Sequence, residues 1–356
     1  GAVLDALVRA ATAAGIAIRY ERTATRLLTT AAGAVCGIEM EQHGGAREPL
    51  AADAVVIASG GFEGHPAMLA EHLGPGGETL RPISPGSRYN DGSGVRMALE
   101  IGAARAGDWR GMHIEPVDAR SLGSAPVVLV YPYGIIVDGM GRRFVDEGAG
   151  LMHETWEDLA RDIHFTRPGR IAYAVLDARL FDIDGFERAI RSEVPPLRAD
   201  SIAALARLAG IDAKGLAATI DAYNAAAPAD ASRFDPTRTD GLATRGIAPA
   251  KSNWACRIER APFVAYPIVG AIAYTFGGLA TDIDARVLDD RARPIRGLYA
   301  AGESTGHFHG TAPNAVAEPE KILLLVASWA WISSPMTVSH SMTVTRSPAA
   351  RDGASR

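Results

Sequence analysis

The chain is poor in cysteine, and the few cysteines it has are far apart. Of 356 residues only two are cysteine, Cys36 and Cys256, and they form no C-x-x-C pair. Zinc and iron–sulfur sites need clustered ligands, and a disulfide framework needs several closely placed cysteines. The sequence therefore predicts neither a metal site nor a disulfide framework, and it is typical of a reducing cytoplasm.

The chain also lacks a strong charge imbalance and a long apolar run. Its formal net charge is −5, and no basic stripe is present, so it shows no electrostatic footprint for nucleic acid. The longest apolar run near the end, residues 322–332, is shorter than the about 20 residues that a membrane-spanning helix needs. We therefore expect a soluble, cytoplasmic protein with no membrane span and no nucleic-acid partner.

Two stretches combine a short apolar strand with a turn of small residues. Residues 53–62 read DAVVIASGGF, and residues 297–317 read GLYAAGESTGHFHGTAPNAVA. Glycine lets the backbone approach a ligand closely, and an acidic residue past a strand's carboxyl end, here Glu303, can accept hydrogen bonds from sugar or ribityl hydroxyls. An ordinary strand, turn and helix would also fit these residues, so the stretches alone leave both interpretations open.

Taken together, the motifs A-S-G-G-F and G-L-Y-A-A-G-E-x-T-G resemble those of one flavoprotein family. This family includes the fumarate reductase and succinate dehydrogenase flavin subunits, the 3-ketosteroid dehydrogenases and tricarballylate dehydrogenase. The resemblance runs from about residue 3 to residue 317 and implies FAD as the cofactor. The cofactor-binding positions that it implies are Ala24, Ser59, Gly60, Gly61, Ser93, Gly302, Glu303, Asn314, Ala315 and Val316, with Ser93 standing where the family usually has an aspartate.

The resemblance also implies an architecture. It predicts an α/β fold with a Rossmann-like FAD-binding domain and an α+β capping domain that closes over the substrate. Such a domain normally begins with a strand, a G-x-G-x-x-G turn and a helix, and this chain contains no such stretch, so we interpret it as a fragment of a longer flavoprotein. The predicted parts are an incomplete FAD-binding domain over residues 1–116, a capping domain over 117–269, the rest of the FAD-binding domain over 270–317, and an atypical, disordered tail over 318–356.

Hydrophobic periodicity predicts the local elements. We expect helices at residues 3–14, 66–73 and 95–101, a helical pair over 201–226, and strands at 16–20, 35–41 and 53–58, with a turn at 43–45 between the last two strands.

Candidate catalytic residues follow from what such a flavin dehydrogenase needs, namely cations to hold carboxylates, a base for the proton alpha to a carboxylate, and access to the flavin N5 atom. Arg143 lies in G-R-R-F-V-D-E at residues 141–147, which resembles the family's G-x-R-F-V-N-E motif. By resemblance to the fumarate reductases, His113 and Glu115 occupy the places of a glutamine and a substrate-binding histidine, and Tyr274 the place of another such histidine. His153 lies close to these motifs. Each of the five would also suit an ordinary surface or core position.

The substrate can be narrowed by what the family motifs lack here. Fumarate reductases carry an arginine soon after F-V-N-E and another in G-x-N-R, whereas residues 148–153 contain no arginine and Pro313 stands in the second place. Other stretches, among them K-S-N-W-A at residues 251–255, resemble tricarballylate dehydrogenase. We therefore predict an FAD-dependent dehydrogenase that oxidises a CH–CH bond of a small polycarboxylate with hydride transfer to flavin N5, with an electron-transfer protein as the reoxidant. The alternatives are an enzyme similar to 3-ketosteroid dehydrogenase and an inactive fragment without cofactor.

Overall fold

The computed structural model describes residues 2–42 and 44–306 together with two short strands near the C-terminal end. The helices are α1 (Ala2–Ala13), α2 (Pro66–Leu73), α3 (Ser93–Glu100), α4 (Met152–Thr166), α5 (Ile202–Ala209) and α6 (Ala213–Ala226). The strands are β1 (Ala17–Arg19), β2 (Arg22–Thr29), β3 (Val35–Gln42), β4 (Arg47–Ala51), β5 (Val55–Ile57), β6 (Arg81–Pro82), β7 (Arg105–Asp118), β8 (Ile135–Val137), β9 (Ala172–Leu176), β10 (Leu197–Ala199), β11 (Phe263–Leu279), β12 (Arg286–Leu288), β13 (Pro294–Ala300), β14 (Met336–Ser339) and β15 (Thr343–Arg346).

The chain divides into two compact units, each built from separate segments of sequence. The first unit consists of Gly1–Glu78, Arg88–Met112 and Tyr274–Arg356, and the second of Thr79–Ser87 and His113–Ala273. The capping domain was predicted over 117–269, and nothing in the sequence pattern indicated that residues 79–87 belong with it.

In the first unit, two neighbouring parallel strands end at the two glycine turns. Its larger sheet has the order β1-β14-β15-β5-β13-β12. Strands β5 and β13 pair in parallel, with Val55 opposite Leu298 and Ile57 opposite Ala300, and all four side chains are buried. Because the carboxyl ends of parallel strands meet at one edge of a sheet, the turn that begins at Ser59 lies beside the turn that begins after Ala300. The two predicted strands are confirmed.

A smaller sheet of β2, β3 and β4 packs on the same core, and it corrects one predicted turn. The chain leaving β3 turns at Gly44 and Gly45 into β4, not into the strand that begins at Val55. Strand β4 alternates exposed and half-buried residues and contains Pro49, so it carries no apolar signal. An edge strand of this kind is hard to predict from sequence because half of its surface faces water.

The second unit has a sheet with the order β10-β11-β9-β8, covered by helices on both faces. Successive residues of β8 point to opposite faces, so Ile136 packs with Leu159 of α4 while Ile135 packs with Leu216 of α6. The predicted helical pair is confirmed as α5 and α6. Their ends follow from local chemistry, since Ser201 and Asp212 cap the N-termini and Gly210 adopts a left-handed conformation at the end of α5.

Strands β14 and β15 fall in the stretch that was predicted to be a disordered tail. Strand β14 pairs in parallel with β1, and β15 pairs antiparallel with β5, so at these positions the structure has strands instead. The remaining residues of 318–356 lie outside the described residues. None of the helices in the described part of the chain has both the length and the hydrophobicity of a membrane span.

Candidate functional site

The turn at Gly60 and Gly61 in the first unit is tightly packed. Gly60 has a φ of 78°, which strains any larger residue, and a Cβ atom on it would lie 2.6 Å from Nδ2 of Asn90. A Cβ atom on Gly61 would lie 2.1 Å from Oγ1 of Thr275 and 2.4 Å from Oε1 of Glu303. A larger residue at either position would therefore have to displace a neighbouring side chain.

Glu303 is bound to this turn by protein groups. Its Oε1 atom accepts hydrogen bonds from the backbone N–H of Thr275 at 2.9 Å and from the Thr275 hydroxyl at 3.4 Å. The backbone N–H of Gly61 also donates to the carboxyl group. Burial raises the pKa of Glu303 above its ordinary value. The carboxyl group that was predicted to accept from a ligand thus has Oε1 engaged by Thr275.

The sequence interpretation missed Glu63, which follows the A-S-G-G-F motif directly. Its side chain is only 1% exposed, its Oε1 atom accepts a hydrogen bond from Nδ2 of Asn90, and it contacts the carboxyl group of Glu303. Burial, and then the nearby charge of Glu303, raise the pKa of Glu63 far above the usual range of a carboxyl group. The sequence did contain a signal for Glu63, namely a charged residue directly after a turn that is predicted to be buried.

The other predicted cofactor positions are placed as follows. Ser59 is buried, and its hydroxyl has no hydrogen-bond partner among the described residues. Ala24 is buried in β2, Gly302 has a φ of 67°, and Ser93 is the half-buried first residue of α3. The backbone N–H of Ser93 donates to Oδ1 of Asp91 at 2.9 Å. Asn314, Ala315 and Val316 lie outside the described residues.

In the second unit, Arg143 forms a buried ion pair. Its Nε atom donates to Oε1 of Glu147 at 3.0 Å and one terminal nitrogen donates to Oε2 at 2.6 Å. The other terminal nitrogen donates to the carbonyl oxygen of Pro249 at 2.7 Å, and Arg143 is only 9% exposed. A fourth contact goes to the carbonyl oxygen of Val145 at 3.3 Å, so four of the five guanidinium N–H donors are used within the protein. The geometry therefore favours a structural role for Arg143 over the predicted clamp on a substrate carboxylate.

His113 and Glu115 are brought together, with Glu157 as a third member. Nδ1 of His113 lies 3.0 Å from Oε2 of Glu157, and Nε2 lies 3.2 Å from Oε1 of Glu115. Burial alone lowers the pKa of His113, but the hydrogen bonds and charges of the two carboxylates outweigh it and raise the pKa to about 9. The raised pKa favours the protonated ring at neutral pH, and therefore favours a role for His113 as a proton donor over a role as the base.

The remaining two catalytic candidates are exposed. His153 lies in the first turn of α4, and Tyr274, in the first unit, is 43% exposed. Neither position is buried enough to fix the side chain by packing.

The K-S-N-W-A stretch contacts residues before and within the Arg143 motif. Lys251 is fully buried, and its Nζ atom donates to the carbonyl oxygens of Pro132 and Gly134. Burial lowers the pKa of Lys251 to about 8. The next residue, Ser252, donates to Asp146 through its backbone and its hydroxyl. These contacts are structural, and no local sequence signal predicted them.

The chain can now be compared with known proteins. A family model described as FAD binding domain matches residues 1–315. The chain belongs to this family. The match implies FAD as the cofactor, and the predicted α/β fold is confirmed by the structural comparison below.

Relatives match most of this chain. It is 28% identical over 324 residues to the probable fumarate reductase Ifc3 of Shewanella frigidimarina, covering 89% of this chain and 50% of the relative. It is 30% identical over 339 residues to 4-oxocyclohexanecarboxylate 2-dehydrogenase of Sinomonas cyclohexanicum, and this match covers 85% of this chain and 55% of the relative. The open conformation of a flavocytochrome c3 fumarate reductase matches with a TM-score of 0.73 at 27% identity, covering 92% of this chain and 54% of that one. The chain thus spans about half the length of these relatives.

The residues of the first unit fit a bound FAD. The glycine turns lie at the carboxyl edge of parallel strands, where dinucleotides bind in open α/β sheets. Ser59 has a buried hydroxyl without a partner among the described residues, which a polar cofactor group would satisfy.

Proposed function

We propose that this chain is the FAD-binding and capping portion of an FAD-dependent oxidoreductase that acts on a CH–CH bond. The observation that carries the proposal is the pair of glycine turns at the ends of β5 and β13, in a chain that belongs to the FAD binding domain family. Bound FAD supplies a hydride acceptor at N5. The relatives named above as a fumarate reductase and a dehydrogenase support this reaction class.

In this proposal the residues of the first unit hold the cofactor. Ser59 donates or accepts a hydrogen bond through its free hydroxyl, Gly60 and Gly61 allow close backbone approach, and Ala24 contacts the adenine through its backbone. Ser93 at the N-terminus of α3 offers a hydroxyl. We further propose that an electron-transfer protein reoxidises the flavin.

For the substrate we propose a small polycarboxylate such as tricarballylate. Support comes from the absence of arginine in residues 148–153 and from Pro313, since fumarate reduction uses arginines at the corresponding places. His113, held as a cation between Glu115 and Glu157, is a proton donor or a fixed positive charge in this proposal. Tyr274 and His153 remain candidates for substrate contact.

A ring ketone is the second candidate substrate. It is favoured by the buried pair of Arg143 with Glu147, because this arginine is then not available to hold a carboxylate. The similarity to 4-oxocyclohexanecarboxylate 2-dehydrogenase supports the same alternative.

The proposal is tested by adding FAD to the purified chain and following flavin fluorescence. We expect weak binding, because the chain has no G-x-G-x-x-G turn for the pyrophosphate. With excess FAD and an artificial electron acceptor, oxidation of tricarballylate should exceed both oxidation of a 3-ketosteroid and reduction of fumarate by a reduced dye. Faster 3-ketosteroid oxidation would favour the ring ketone, rapid fumarate reduction would contradict the polycarboxylate assignment, and absence of any flavin binding would indicate an inactive fragment.

A further inference from the structure

Two buried glutamates face each other at the glycine turn of the first unit. Glu63 is held on one side by Asn90, which donates to its Oε1 atom. Glu303 is held on the other side by Thr275, whose backbone N–H donates to its Oε1 atom at 2.9 Å. Gly61 lies against Glu303, since its backbone N–H donates to the Glu303 carboxyl group and a Cβ atom there would collide with Thr275 and Glu303.

The pair lacks the usual means of neutralising buried carboxyl groups. No ion pair joins either glutamate to a lysine, arginine or histidine in the described part of the chain. The Oε2 atom of Glu63 is buried and has no hydrogen-bond donor among the described residues. Among the main influences on the pKa of Glu63 in the described part of the chain, the charged group is Glu303, which has the same sign.

Two carboxylates in this position would repel each other and would leave a buried oxygen without a donor. Leaving such an oxygen without a donor is unfavourable, and more so when it is charged. A proton placed on one carboxyl group removes both costs, because it reduces the net charge and becomes the missing donor. Closely spaced carboxyl groups in other proteins share a proton for this reason.

We propose that Glu63 and Glu303 share one proton in the folded protein and that this shared proton holds the Gly60-Gly61 turn in its ligand-binding conformation. Glu63 is in this sense a positioning residue that acts through Glu303 and the turn. The effect on FAD rests on the proposed function, whereas the shared proton itself does not.

The key variant is Glu63→Gln, because its amide keeps an oxygen for Asn90 and supplies a permanent donor to Glu303. A carboxyl group with a raised pKa stabilises the fold below its unfolded pKa of about 4.5, and this stability is lost as the pH rises toward the folded value of about 9. The unfolding constant of the wild-type protein should therefore rise relative to that of Glu63→Gln by about tenfold for each pH unit within this window.

Comparison with the variant is needed because His113 and Lys251 titrate in part of the same range. The contributions of His113 and Lys251 are the same in the wild-type protein and in Glu63→Gln, so they cancel in the ratio of the two unfolding constants. Glu100→Gln, at the exposed end of α3, is the matched control and should show the wild-type pH dependence. If the unfolding constants of the wild-type protein and of Glu63→Gln change with pH in parallel, the proposal is overturned.

Infrared spectroscopy of the wild-type protein gives a second measurement that needs no variant to fold. A protonated carboxylic acid should be detected by its carbonyl stretching band at neutral pH and should disappear toward alkaline pH. Absence of this band at neutral pH would also overturn the proposal.

The link to the cofactor is tested by titrating FAD at pH 6 and pH 9. A doubly ionised pair would repel the anionic pyrophosphate cofactor, so wild-type affinity should fall at the higher pH while Glu63→Gln retains its affinity. Equal wild-type affinity at both pH values would contradict the role in ligand binding. Failure of FAD to bind at either pH would count against the proposed function alone, since the unfolding and infrared data decide the shared proton independently.

Discussion

The two units bury glutamate in opposite ways. Glu147 in the second unit and Glu63 in the first are both only 1% exposed. Glu147 is neutralised by Arg143 through two hydrogen bonds of 3.0 and 2.6 Å. Glu63 has an amide and a second glutamate as neighbours. A fixed cation makes the ion pair insensitive to pH near neutrality, whereas the glutamate pair must be neutralised by a proton and therefore depends on pH.

The histidine cluster of the second unit follows the same rule as Glu147. Glu115 and Glu157 share one histidine, His113, and Glu157 also pairs with Arg161 at 3.7 Å. These glutamates and Glu147 are therefore matched by cations. In the described part of the chain no cation pairs with Glu63 or Glu303, and these two lie at the glycine turn that fits a cofactor.

The largest effect on stability at neutral pH should come from Arg143→Met, which leaves Glu147 as a buried carboxylate without a cation. We expect a loss of about 3–5 kcal/mol in the free energy of unfolding at neutral pH, because an uncompensated charge is left in the core. Urea denaturation measures this, with exposed Arg142→Met as the matched control. Adding Glu147→Gln should restore much of the loss, since the amide oxygen can still accept from the backbone N–H of Ile136. If Arg143→Met unfolds like the control, the arginine is not structural and the predicted substrate clamp regains support.

The second largest effect is on the pH dependence of stability, and it tests whether His113 is held as a cation. Because the pKa of His113 is raised from 6.5 to about 9, its stabilisation is fully present below pH 6.5 and is lost as the pH rises through 9. The amount lost should be on the order of 2–3 kcal/mol. It is measured as the difference in unfolding free energy between wild-type protein and His113→Gln across this range, with exposed His153→Gln as the control. A difference that does not change with pH would show that the carboxylates do not hold the ring as a cation.

The smallest effect on stability concerns the turn that packs against Glu303 in the first unit. Gly61→Ala should cost about 1–3 kcal/mol in unfolding free energy, because the added methyl group must push aside Thr275 or Glu303. FAD affinity should fall with it. Gly139→Ala is the control, since a Cβ atom there meets nothing within 4 Å. Equal stability of the two variants would mean that the turn is less tightly packed than the structure indicates.

Features that depend on local pattern could be predicted from the sequence. Strands β5 and β13, the helical pair α5 and α6, and the glycine turns were all recognised, because apolar periodicity and glycine act over a few residues. Strand β4 was missed because its residues carry no apolar alternation. Residues 79–87 could not be assigned to the second unit, since their pairing partner, β11, lies far away in the chain.

For the candidate site, the sequence determined which residue types surround the turn, and tertiary structure decided how they are charged. Glu303 and the two glycines were identified from motifs, whereas Glu63 became a candidate only when Asn90, Thr275 and Glu303 were found around it. Likewise the motif singled out Arg143, but its contacts with Glu147 and Pro249 favour a structural role. The physical reason is that the protonation state and available donors of a side chain depend on burial and on neighbours distant in sequence, which no local pattern encodes.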